Sequence, residues 1–148
     1  MNHDSLISRG CLVKRLIFLV MVCCCLSIQA RAATPEELGI SSAKTWLSLI
    51  DADKIESAWE SSGLALKKAG PKGKVVAQLR GVRKKAGKFV SRTIINKQLV
   101  HDLPGAPHGD YVVIQYKTKF ATKGDSVETV AASKEKDGKW RVSGYFVK

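Results

Sequence analysis

Beyond residue 32 this chain has no cysteine. All four cysteines stand at or before Cys25 (Cys11, Cys23, Cys24, Cys25). A domain formed by residues 33–148 therefore has no disulfide framework and no thiolate nucleophile, and rests on packing alone. Acidic residues are also scarce: 13 against 25 lysines and arginines, for a formal net charge of +12. From Gly63 to His101 there is none at all. The chain lacks a Gly-x-Ser-x-Gly elbow, and Gly70-Pro71-Lys72-Gly73 lacks the Gly-Lys-Ser/Thr ending of a phosphate loop. These absences remove the commonest hydrolase and nucleotide-binding chemistries. Internal repeats and low-complexity tracts are missing too.

What is present begins with an address. Arg9, Lys14 and Arg15 precede the apolar run Leu16–Ile28, and Ala30-Arg31-Ala32 has the small-x-small form of a cleavage site. This is the three-part pattern of a secretory signal, and the run is shorter than the 20 or so residues of a membrane span. The expectation is cleavage after Ala32 or Ala33 and a periplasmic or secreted protein, with residues 1–32 removed and 33–148 forming one domain. Residues 1–32 hold Arg9, Lys14, Arg15 and Arg31 against Asp4, a net +3, so +9 stays with the domain. That balance favours anionic partners.

Thr34-Pro35-Glu36-Glu37 reads as a capped helix start, with Gly39 expected to break it and Ser41 to start it again. Ala43, Trp46, Leu47 and Ile50 then fall on one helical face, and Ile55, Ala58 and Trp59 continue the spacing after Asp51-Ala52-Asp53, which can cap that second helix. Val75, Leu79, Val82 and Ala86 mark a third helix ending at Gly87. Phe89–Val100 reads as a strand whose alternation slips at Ile94-Ile95, the mark of a bulge. Val112, Ile114, Tyr116, Thr118 and Phe120 form one face of the next strand. Val127–Ser133 is a third. Asp137-Gly138 signals a two-residue hairpin. The last strand alternates Trp140, Val142, Gly144 and Phe146 on one face. Three helices followed by four antiparallel strands define an α+β fold, the helices covering one face of a meander. Trp46, Trp59 and Trp140 are its expected anchors.

The segments Leu103–Lys123 (LPGAPHGDYVVIQYKTKFATK), Glu128–Val130 and Asp137–Lys148 (DGKWRVSGYFVK) resemble a bacterial family of small exported proteins, domain of unknown function 4019. Ala43–Trp59 and Val82–Arg92 are similar to it as well, so the likeness covers nearly all of residues 33–148. The resemblance implies a cone-like fold of the cystatin-like or nuclear-transport-factor-2-like kind, and no particular activity. Two features depart from the family pattern. Val75-Val76 stand near where the third helix usually carries a tryptophan, and the proline expected before Gly87 is absent.

Two sets of residues are candidates for function. Lys72, Lys74, Arg80, Arg83, Lys84, Lys85 and Lys88 make the third helix basic, and Arg80, Arg83 and Lys84 share a face by spacing. Such a face holds phosphates or carboxylates by charge-assisted bonds; the alternative is a solvated face that only keeps the protein soluble. Interleaved aromatics for base stacking are missing, so nucleic acid is not the expected partner. An anionic envelope surface or polymer is, or a protein. His101, Asp102, His108 and Asp110 gather in the proline loop. They offer acid-base groups to a small enzyme, or polar residues to a turn. Their spacing matches no metal motif, and no cofactor is implied. Tyr111, Tyr116 and Tyr145 are candidates to line a small pocket. The reading is a non-catalytic binding module; the alternative is an enzyme using His101, Asp102 and His108.

Overall fold

The computed structural model describes residues 31–148. The signal segment read at residues 1–32 lies outside the described residues but for its last two. Helix α1 spans Pro35–Asp51, α2 Ile55–Glu60, α3 Leu64–Lys68 and α4 Lys72–Ala86. The strands are β1 (Phe89–His101), β2 (Asp110–Phe120), β3 (Gly124–Lys134) and β4 (Trp140–Val147), all antiparallel and in the order β1-β2-β3-β4. The α+β meander expected from the sequence is present.

Helix α1 starts where the capping residues say. Thr34 and Glu37 form a reciprocal capping box, Glu37 N–H donating to Thr34 Oγ1 at 3.2 Å and Thr34 N–H to Glu37 Oε2 at 2.8 Å. The helix does not break at Gly39. A Cβ there would stand 2.6 Å from the Cβ of Val112, so the glycine lets α1 lie close against β2. Nor does Asp51 cap α2. Asp53 does not either: the residue before α2 is Lys54, without a side-chain cap, Asp51 being the last residue of α1 and Asp53 a turn residue at φ 57°. The apolar patch at Leu64 forms an additional one-turn helix, so four helices rather than three stand among the described residues.

Helix α1 crosses all four strands. It presents Ala43, Trp46, Leu47 and Ile50 to Val112, Ile114, Val130, Ala132 and Val142. Trp46 and Tyr145 meet ring to ring at 5.1 Å. Trp46 donates to Ala58 O and Ser62 Oγ, both at 2.9 Å, which fixes α2 to α1. Trp140 is buried and Trp59 half-buried. Helix α4 packs on α2 and α3, burying Val75, Val76 and Leu79.

Three irregularities shape the sheet, the first a slip between Phe89 and Ser91 that leaves Val90 unpaired and exposed. Pairing of β1 with β2 slips between Ile94 and Asn96, leaving Ile95 unpaired and exposed, as the sequence predicts. Pairing of β3 with β4 slips between Ala131 and Ala132, so that Ala131 faces Gly144 while Ala132 faces Val142. Ser143 is the extra residue. Beyond it the alternation inverts: Tyr145 turns inward and Phe146, expected beside Trp140, is 63 % exposed. The β3–β4 connection also differs from the expected two-residue turn. Glu135 N–H bonds Lys139 O at 2.9 Å across residues 136–138, with Gly138 at φ 77°, a three-residue loop closed by a left-handed glycine.

Candidate functional site

The basic helix divides into three groups. Lys72 pairs with Glu60, and Arg80 with Glu56 at 2.7 Å. The Lys67 and Lys72 ammoniums lie over the Trp59 ring at 5.5 and 4.9 Å from its centroid. These charges fasten α4 and α3 to α2. Arg83, expected on the solvent face with Arg80 and Lys84, is buried at 8 % exposure. Its helical position points to the core, where Asp51 of α1, and Phe120 and Glu128 of the sheet, make its burial tolerable. Of the seven basic residues from Lys72 to Lys88, Lys74, Lys84, Lys85 and Lys88 are exposed without an ionic partner among the described residues.

Arg83 belongs to a four-charge network that sequence reasoning missed. Its Nη2 lies 3.0 Å from Asp51 Oδ1, and its guanidinium stacks on Phe120 at 4.7 Å. Arg92 forks onto the same Asp51 carboxylate at 2.8 and 3.2 Å. Through Nε it also bonds Glu128. Glu128 is fully buried and accepts further bonds from Thr118 Oγ1 at 2.9 Å and Tyr145 OH at 2.7 Å. Two cations and two anions from α1, α4, β1 and β3 thus cancel. Burial pulls the Arg92 guanidinium down, but the bonds to Asp51 and Glu128 outweigh it and hold its pKa above the ordinary arginine value. The network binds itself, with its acceptors engaged by its own donors. One sequence signal points to it: Glu128 occupies an inward position in the alternation Ser126, Glu128, Val130, Ala132.

Tyr116 and Tyr145 flank this network inside the core, whereas Tyr111 lies under the proline loop, so the three tyrosines line no common pocket. Burial pushes Tyr145 up, helped by the Glu128 charge, and pushes Tyr116 up to about 12. A raised tyrosine stabilises the fold below the unfolded value, near pH 10, and that contribution is lost as pH rises to the folded value. At Tyr116 this contribution is roughly 3 kcal/mol. The melting temperature is therefore expected to fall between pH 10 and 12, tyrosinate absorbance rising together with unfolding. Ionisation of all three tyrosines near pH 10 in a still-folded protein would contradict this.

The histidines form two separate pairs rather than one constellation. His101 contacts Asp110, and His108 Nδ1 lies 3.1 Å from Asp102 Oδ1. Both rings are solvent-exposed, at 76 % and 97 %. Asp102 holds the left-handed φ of 61°. It accepts from Gly109 N–H at 2.9 Å, and that bond, followed by His108, keeps its carboxyl below the usual range. These contacts close the neck of the loop. No group of three or more potential metal ligands stands among the described residues.

Two surface features remain, at opposite ends of β1. At its start, Ala86 O accepts from Thr122 N–H at 3.2 Å and Lys123 N–H at 3.0 Å, while Ala121 N–H donates to Lys88 O at 2.8 Å. The β2–β3 turn is thereby clamped onto the end of α4. This places the backbone of Lys123 against the end of the helix that carries Lys84 and Lys85, next to Lys88. Phe89 and Val90 follow, both exposed, with one side of the Phe89 ring against the Arg92 guanidinium at 4.5 Å. At the other end, the loop Leu103–Pro107, α3 and the outer face of β3 and β4 enclose a groove of about 450 Å³.

These observations define a small α+β domain in which one helical layer covers a four-stranded meander around a buried charge network. The chain belongs to the family described as protein of unknown function (DUF4019), whose model matches residues 42–145. No curated protein matches it.

Proposed function

We propose that this protein is an exported, non-catalytic binding module that engages an anionic envelope surface through the corner where α4 meets β1. The carrying observation is the convergence of Lys84, Lys85 and Lys88 with Lys123, unpaired and flanked by exposed Phe89 and Val90. Each lysine near an anionic membrane surface contributes about 1 kcal/mol. Four give a weak, salt-sensitive attraction, to which the two apolar tips add shallow insertion. Export rests on the basic and apolar pattern of Arg9–Ala32. We assign the fold to the cystatin-like or nuclear-transport-factor-2-like cones. The bulges at Ile95 and Ser143, which bend their strands and increase local twist, support a sheet curved around α1.

Sedimentation with vesicles tests the reading. The protein is expected to bind vesicles rich in phosphatidylglycerol at low salt, to leave them near 0.5 M salt, where screening is nearly complete, and to ignore phosphatidylcholine vesicles. A Lys84→Glu, Lys85→Glu, Lys88→Glu variant should bind at least tenfold more weakly. Equal binding to both vesicle types, or an unaffected triple variant, would overturn the proposal.

A further inference from the structure

The groove at the far end of β1 owes its shape to the bulge at Ser143. Without the extra residue Phe146 would face the core. With it, a phenylalanine stands 63 % exposed on the outer face of the sheet, forgoing the stabilisation that its burial would contribute. A bulge that re-aims an apolar side chain toward solvent is a feature of binding surfaces.

The surroundings form a preformed trough. Small residues (Ala65, Ala69, Ala131, Gly144) leave its floor open, while Leu103, Pro104 and Pro107 wall one side. The loop is held in place: Tyr111 OH donates to Pro107 O at 2.6 Å, and Ala106 N–H to Leu103 O at 3.0 Å. Asp102 and Gly109 bond each other twice at its neck, both at 2.9 Å. A ligand meets a site that is already ordered, so little of its binding energy goes to ordering it.

The charged residue that lines the groove is Lys68. Lys68 borders both this groove and a neighbouring depression of about 280 Å³, where Lys134 and Lys136 also stand. The acids of that depression are engaged already. Asp110 holds His101, and Glu135 accepts from Leu64 N–H and Ser133 Oγ, both at 3.1 Å. An apolar trough with a lysine at its rim complements a molecule with an apolar tail and an anionic head.

We propose that this groove binds a single-chain anionic lipid, the acyl chain lying against Phe146 and the walls of the Leu103–Pro107 loop and the carboxylate meeting Lys68. The site is independent of the corner at the start of β1. Gly144 offers a probe: a Cβ there would meet Phe146 and Ala131 only at ordinary contact, 3.5 and 3.6 Å, so the branch point of Gly144→Val is accommodated and its methyls narrow the groove.

Decanoate below its micellar concentration, titrated into the protein and followed by amide chemical shifts, is the test. Saturable shifts are expected at Ala106, Ala131 and Gly144. Gly144→Val and Phe146→Ala should each weaken binding at least tenfold, and Phe146→Ala, altering an exposed side chain, keeps the fold. Lys68→Glu should weaken decanoate but spare decanol, and acetate should not bind. The corner variant of Lys84, Lys85 and Lys88 should bind decanoate normally even where it has lost vesicles. Shifts that fail to saturate, shifts confined to Lys84–Lys88, or affinity unchanged by Phe146→Ala would each overturn the proposal.

Discussion

Replacing Glu128 by alanine is expected to cost roughly 3–5 kcal/mol, the range for breaking a buried ion pair from one side. The total stability of such a domain is only about 5–15 kcal/mol. The loss arises from what stays behind. Arg92 loses its Nε acceptor, and Thr118 and Tyr145 lose theirs. Two buried guanidiniums then face the single Asp51 carboxylate. Urea unfolding measures the effect through the shift in midpoint at constant slope. A second variant separates charge balance from packing. Arg83→Met combined with Glu128→Gln removes one charge of each sign and leaves the forked Arg92–Asp51 pair intact. It should recover a large part of the loss, because neutralising a whole pair is far cheaper than orphaning one member. A Glu128→Ala protein within 1 kcal/mol of the parent would show that the network contributes little to holding α1 and α4 on the sheet.

Gly87→Ala carries the second large effect. Gly87 has φ 85° and ψ −169°, a region open essentially to glycine alone, where another residue costs about 1–3 kcal/mol. An added Cβ would also stand 2.8 Å from the Thr122 backbone nitrogen and from its Cβ, and backbone does not move aside cheaply. The variant should lose roughly 3 kcal/mol in total. It should also spread the corner, since Ala86 O next door is the acceptor for Thr122 and Lys123. Vesicle binding is then expected to fall although every lysine is still present. Gly81→Ala is the control. Nothing lies within 4 Å of its added Cβ, so it should stabilise α4 by about 1 kcal/mol. If both variants melted alike, the docking of the β2–β3 turn would not depend on Gly87.

Local rules recovered the elements because local chemistry made them. The Thr34 cap, the inward face from Val112 to Phe120 and the slip at Ile94-Ile95 each depend on residues within a few positions of one another. Three misreadings share a different cause. Gly39 was legible as a glycine but not as a close approach, because Val112 lies far along the chain. Arg83 was legible as a cation but not as a buried one, because its partners come from α1 and β3. Phe146 changed faces because one extra residue, Ser143, inverts every position after it, and nothing in SGYF announces the insertion. The candidate site was legible in part: the lysines of α4 were visible, but the folded turn that adds Lys123 to them was not. The histidine loop looked like chemistry in the sequence because its residues are adjacent, yet its geometry divides them into two exposed fastenings.

The register of the sheet has a further consequence. Phe146 stands opposite Thr129, level with Gln115 and Asn96, so it lies seven residues along β1 and three strands across from Phe89, which sets the lysine corner and the Phe146 groove roughly 25 Å apart. A sheet with a helix laid across all four strands resists bending, so this distance is a fixed standoff. A protein resting on an anionic surface by its corner holds the groove well clear of that surface. An acyl chain lodged there would be lifted out of the bilayer into water, shielded only by a loop and one phenylalanine.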